Sequence, residues 1–80
     1  MENDEIKSLL EKQPDIQFAK VEGDGYHYQI TVVSPSFQNL SIVKRQQKIY
    51  ALLTEWIAEG SLHAVSMKTL TPEEWEKKNG

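Results

Sequence analysis

The stretch SIVKRQQKIYALLTEWIAEGSLHAVSM, Ser41 to Met67, constrains the fold most, because it reads as a long amphipathic helix, a glycine stop and a strand in unbroken succession. Ile42, Val43, Ile49, Tyr50, Leu53, Trp56 and Ile57 fall at the spacings of one face of a 3.6-residue helix, while Lys44, Lys48, Thr54, Glu55 and Glu59 fall on the other. This predicts a core helix with one wet side. Gly60 stands where helices turn left-handed and end, and Leu62-His63-Ala64-Val65-Ser66-Met67 suits an extended segment. His63 therefore opens a strand just after a helix cap.

Upstream, Asn3 or Asp4 can cap a first short helix whose apolar side is Ile6, Leu9 and Leu10, and Pro14 bars its continuation. Ile16 to Glu22 and Tyr26 to Val33 read as strands joined by Gly23-Asp24-Gly25, a sequence that favours a tight hairpin. In the second strand Tyr26, Tyr28, Ile30 and Val32 share one face, and His27, Gln29, Thr31 and Val33 the other. Ser34-Pro35-Ser36 ends that strand. Phe37 and Leu40 anchor the connector that follows, with Asn39 suited to a left-handed turn. After the third strand, Thr71-Pro72-Glu73-Glu74 has the form of a helix start, with threonine at N-cap, proline at the first helical position and a capping-box glutamate. Trp75 is the one large apolar residue available to pin this last helix.

The order helix-strand-strand-helix-strand-helix leaves few topologies. A hairpin pairs the first two strands, and a right-handed crossover through the long helix lays the third strand parallel to the second. The expected class is α+β, a three-stranded mixed sheet with helices, and 80 residues suffice for one domain spanning 1–80.

With no cysteine, the chain can form no disulfide and supplies no thiolate, so a metal site would rest on its two histidines and carboxylates or on borrowed ligands. No apolar run approaches the roughly 20 residues that span a bilayer, and the start MENDEIKS is unlike a secretory signal. A cytoplasmic protein with no membrane association is expected. The net charge of -3 opposes a general pull toward nucleic acid, leaving Lys44, Arg45 and Lys48 as a local basic cluster that is either a solvated helix face or a nucleic-acid-binding patch.

Nucleophile-and-base constellations, P-loops and H-E-x-x-H motifs are absent, and Glu73 with Glu74 is explained by capping, so the chain is read as non-enzymatic. His27 and His63 carry the most chemical potential. Each could be an ordinary strand histidine. If the third strand runs parallel to the second, however, both lie at the same end of the sheet, and two imidazoles make half of a four-ligand metal site.

HYQITVVSPSFQNLSIVKRQQKIYALLTEWIAEGSLHAVSMKTLTPEEW resembles the BolA-like family. The matching elements are a strand ending in V-V-S, then Phe37, Arg45-Gln46-Gln47 with Ile49-Tyr50, Leu62-His63-Ala64, and Thr71-Pro72-x-x-Trp75. The G-D-G hairpin before His27 looks most like the family's IbaG (YrbA) branch. The resemblance covers about Ile16 to Trp75 and implies a fold similar to a class II KH domain. It also implies partnership with a monothiol glutaredoxin, through an apo complex or a bridging 2Fe-2S cluster shared with glutaredoxin and glutathione, in iron-sulfur trafficking and iron regulation. Acid stress is linked to the IbaG branch, and a DNA-binding transcriptional regulator is the alternative implied role. Alone, the chain is expected to be a monomer or weak homodimer.

On the same resemblance, His63 matches the family's cluster-ligating histidine. The second family ligand is a Cys or His in the loop between the first two strands, and here Glu22-Gly23-Asp24-Gly25-Tyr26 holds neither, which leaves His27 as the nearest candidate. The G-x-x-G loop that KH domains use to clamp nucleic acid is also missing.

Overall fold

The computed structural model describes residues 2–79, the last of them as backbone only. Chain order is α1 (Asn3–Glu11), β1 (Phe18–Gly23), β2 (His27–Val33), a 3-10 turn (Pro35–Phe37), α2 (Ile42–Ala58), β3 (Ala64–Leu70) and α3 (Pro72–Asn79). The sheet order is β1-β2-β3. β1 and β2 are antiparallel from Phe18 opposite Val33 to Gly23 opposite Tyr28. β3 lies parallel to β2, with His27 beside Ala64 and Val33 beside Leu70. The crossover expected from the length of α2 is therefore present, and the class is α+β with a mixed sheet.

Alternation along the strands sends Ala19, Tyr28, Ile30 and Val32 into one core with Ile6 and Leu10 of α1, Ile49 and Leu53 of α2, and Phe37 and Leu62 of the connectors. On the reverse face Trp75 of α3 packs against Phe18, ring centroids 5.2 Å apart. Two strand starts differ from the sequence reading. Ile16 gives its N–H to Gln13 C=O and so stays out of β1, although its side chain still joins the core. Tyr26 is held outside β2 because the Asp24 carboxylate takes its N–H at 2.9 Å. The first helix starts one residue early, with Glu2 at N-cap and its N–H bound to Glu5 Oε1 at 3.1 Å.

The larger correction concerns α2. Of the residues expected on its buried face, Ile42 and Val43 are 55% and 61% exposed, and Tyr50 and Ile57 are also exposed. Ile49 and Leu53 are buried as expected, and Arg45 completes their face at four-residue spacing. Arg45, expected on the wet side, is buried because acceptors surround its guanidinium. Nε donates to Leu40 C=O at 3.1 Å, and Nη1 donates to Thr69 C=O at 3.1 Å and to Glu74 Oε1 at 2.8 Å. A charge leaves water at tolerable cost only when paired and hydrogen-bonded in this way.

The same glutamate closes the capping box of α3. Glu74 accepts from Thr71 N–H at 2.8 Å, and Glu74 N–H donates to Thr71 Oγ1 at 3.2 Å. The bond from Thr71 N–H, then that from Arg45, holds the Glu74 carboxyl below the usual carboxylate range. Arg45 also protects the sheet edge. Leu70 C=O accepts from Ser34 N–H, so the carbonyls of Val65, Met67 and Thr69 point away from β2. Arg45 covers that of Thr69, and Tyr50 Oη reaches that of Val65 at 3.4 Å.

A second polar latch holds α2 less than one turn beyond Arg45. Lys48 Nζ lies 3.0 Å from both Asp15 Oδ2 and Ser36 Oγ, Ser36 Oγ donates to the same carboxylate, and buried Ser34 Oγ donates to Asp15 C=O. The bond from Lys48, then that from Ser36, lowers the Asp15 pKa.

Replacing Arg45 by alanine strips the Leu40 and Thr69 carbonyls of their donor, so Arg45→Ala is expected to cost roughly 2–4 kcal/mol in chemical denaturation. Val43→Ser, at an exposed position, is expected to change stability by less than about 0.5 kcal/mol.

Candidate functional site at the end of the sheet

The hairpin between β1 and β2 is built on Asp24. Its Oδ1 accepts the N–H groups of Tyr26 at 2.9 Å and His27 at 2.8 Å, while its own N–H donates to His27 C=O at 3.2 Å. The His27 amide, then the Tyr26 amide, holds the Asp24 carboxyl below the usual carboxylate range. Gly25 takes φ +95°, a left-handed value that a side chain would strain. Gly23 is required for another reason. A Cβ there would lie 2.5 Å from the Tyr28 ring and 2.7 Å from His27 C=O, because the ring of its cross-strand partner lies over it.

The other half of the site comes from the end of α2. Gly60 adopts φ +83°, and the N–H groups of Ser61 and Leu62 fold back onto Trp56 C=O at 3.0 and 3.2 Å. Leu62 is buried, which fixes the chain immediately before His63. β3 then begins at Ala64, one residue later than expected, and His63 is exposed at its head.

Because His27 is in register with Ala64, His63 and His27 stand at the same end of the sheet. Tyr26 joins them. Its ring is stacked on His63 at 5.6 Å between centroids and 22° between planes, and meets His27 edge-on at 4.8 Å and 80°. All three side chains are exposed, Tyr26 by 60%. Tyr26 was expected on the apolar face of β2 and instead bridges the two histidines. The signal that could have revealed this is Asp24 two residues earlier, whose carboxylate forms an Asx turn that removes Tyr26 from the ladder.

Among the described residues no group of three or more His, Cys, Asp or Glu side chains could hold a metal ion. The sheet end therefore offers two accessible imidazoles and no closed ligand set. The basic cluster is not assembled as the sequence suggested. Arg45 is buried against Glu74, Lys48 is paired with Asp15, and Lys44 remains exposed, so the three do not form one free cationic patch.

Gly23→Ala forces the Tyr28 ring or the hairpin backbone to move. A loss of roughly 1–3 kcal/mol is expected, with displaced amide shifts at Tyr26 and His27. Unchanged or raised stability would mean that the ring does not pack there.

A model of the family described as BolA-like protein matches residues 6–74. The chain is 46% identical to the acid stress protein IbaG of Escherichia coli strain K12 over 77 residues, 96% of this chain and 92% of that protein. It is 31% identical to the DNA-binding transcriptional regulator BolA of Haemophilus influenzae, over 92% of this chain and 81% of that one. The solved structure of a bolA protein homologue from Coxiella burnetii superposes with a TM-score of 0.77 at 30% identity, covering 95% of this chain and 97% of the other. By sequence and by fold, the chain belongs to the BolA-like family.

Proposed function

We propose that the chain is a non-enzymatic adaptor that binds a monothiol glutaredoxin, in a metal-free complex or through a shared 2Fe-2S cluster, and serves iron-sulfur trafficking, iron regulation and the response to acid stress. The observation that carries this reading is the pair of exposed imidazoles held at one sheet end in a BolA-family chain without cysteine. That donor set fits a shared site. His63, fixed by the Leu62 anchor, would supply one nitrogen ligand, and His27 is the nearest second donor. The partner's cysteine and a glutathione thiolate would supply the rest, since iron-sulfur clusters accept mixed thiolate and imidazole ligation. A bound cluster would supply redox and transfer chemistry; this chain's residues bind and orient. The name of the Escherichia coli relative supports the connection to acid stress.

DNA binding, suggested by the name of the Haemophilus influenzae relative, is the second reading. It loses force because the burial of Arg45 and the pairing of Lys48 remove two of the three charges on which it would rest. Salt-dependent duplex binding that weakens on Lys44→Ala would restore it.

Mixing the chain with a cluster-loaded monothiol glutaredoxin is expected to change the visible absorption and circular dichroism spectra. His63→Ala is expected to abolish the change and His27→Ala to reduce it. A His63→Ala spectrum and affinity equal to wild type would overturn the ligand assignment.

A further inference from the structure

We infer that Tyr26 is a positioning residue that sets the orientation of the His63 imidazole, an inference that rests on the adaptor reading above. An exposed histidine at the head of a strand is free to turn about two side-chain bonds, and a donor that samples several rotamers loses that freedom when it binds. Tyr26 removes part of this cost in advance. The near-parallel stack restricts the plane of the His63 ring, and the edge-on contact with His27 gives the tyrosine a second ring to pack against.

The tyrosine is itself placed by backbone chemistry and not by burial. Asp24 Oδ1 grips the N–H groups of Tyr26 and His27 together, so the carboxylate that shapes the turn also aims the ring. The chain of contacts runs from Asp24 through the backbone to Tyr26, and from the Tyr26 ring to His63. It joins the β1–β2 turn to the α2–β3 connection, which belong to different parts of the sequence. Stacking requires an aromatic ring and no hydroxyl, so phenylalanine should replace tyrosine in this role and alanine should not.

The test compares Tyr26→Phe, Tyr26→Ala and His63→Ala in the full chain. In the free protein, the ring current of Tyr26 is expected to displace the His63 ring proton shifts. Tyr26→Phe should keep the displacement and Tyr26→Ala should return the shifts toward those of an unstacked histidine. With a cluster-bearing monothiol glutaredoxin, Tyr26→Ala should bind roughly three- to tenfold more weakly and alter the visible circular dichroism, with Tyr26→Phe restoring both. Because Tyr26 is exposed, thermal unfolding of the variants should match wild type and exclude a folding defect. Unchanged His63 shifts in Tyr26→Ala, or equal losses in Tyr26→Phe and Tyr26→Ala, would overturn the inference even if His63→Ala proves His63 a ligand. A His63→Ala complex identical to wild type would overturn the ligand assignment on which the inference rests, leaving the free-protein shifts to judge the stack.

Discussion

The parallel pairing of β3 with β2 is the constraint on which the candidate site depends. α2, of 17 residues, spans about 25 Å, slightly more than the roughly 23 Å of a seven-residue strand, and so can carry the chain back to the end where β2 began. Had β3 run antiparallel, His63 would stand roughly 20 Å from His27, at the far end of the sheet. Register refines this placement. With His27 beside Ala64, the residue preceding each strand partner, Tyr26 and His63, can meet face to face.

Arg45 and Asp24 play related parts at opposite ends of the sheet. Each uses a charged group to satisfy backbone atoms where regular pairing stops. Arg45 binds the last turn before α2, the outer edge of β3 and the cap of α3 in one set of bonds, which locks the helix that makes the crossover. Asp24 binds two successive amides and turns them from the ladder toward the surface. Rigidity at the first place and exposure at the second together allow a small domain to present accessible donors on a firm base.

Much of the fold could be read from the residues. Gly60, Asn39 and the Thr71-Pro72-Glu74 start each carry a local signal that tertiary context did not override, and φ is positive at Gly60 and Asn39 as expected. The common end of His27 and His63 followed from the parallel pairing expected of a helical crossover. The rotation of α2 did not follow, because hydrophobic periodicity treats arginine as wet. Its aliphatic stem is apolar and its head can be buried once Glu74 and the Thr69 carbonyl, distant in sequence, come within reach. Once Arg45 faces inward, the Val43, Tyr50 and Ile57 stripe must fall on a flank. The role of Tyr26 was hidden for a similar reason: strand alternation was extended one residue past the point where Asp24 ends it.

The most direct measurement is electron spin echo envelope modulation on the reduced cluster of the complex with a monothiol glutaredoxin, the chain carrying 15N-labelled histidine. The expected spectrum shows coupling to an imidazole 15N that disappears in His63→Ala. A spectrum without histidine nitrogen coupling, or one unaffected by His63→Ala, would contradict the assignment of His63 as the ligand this fold presents.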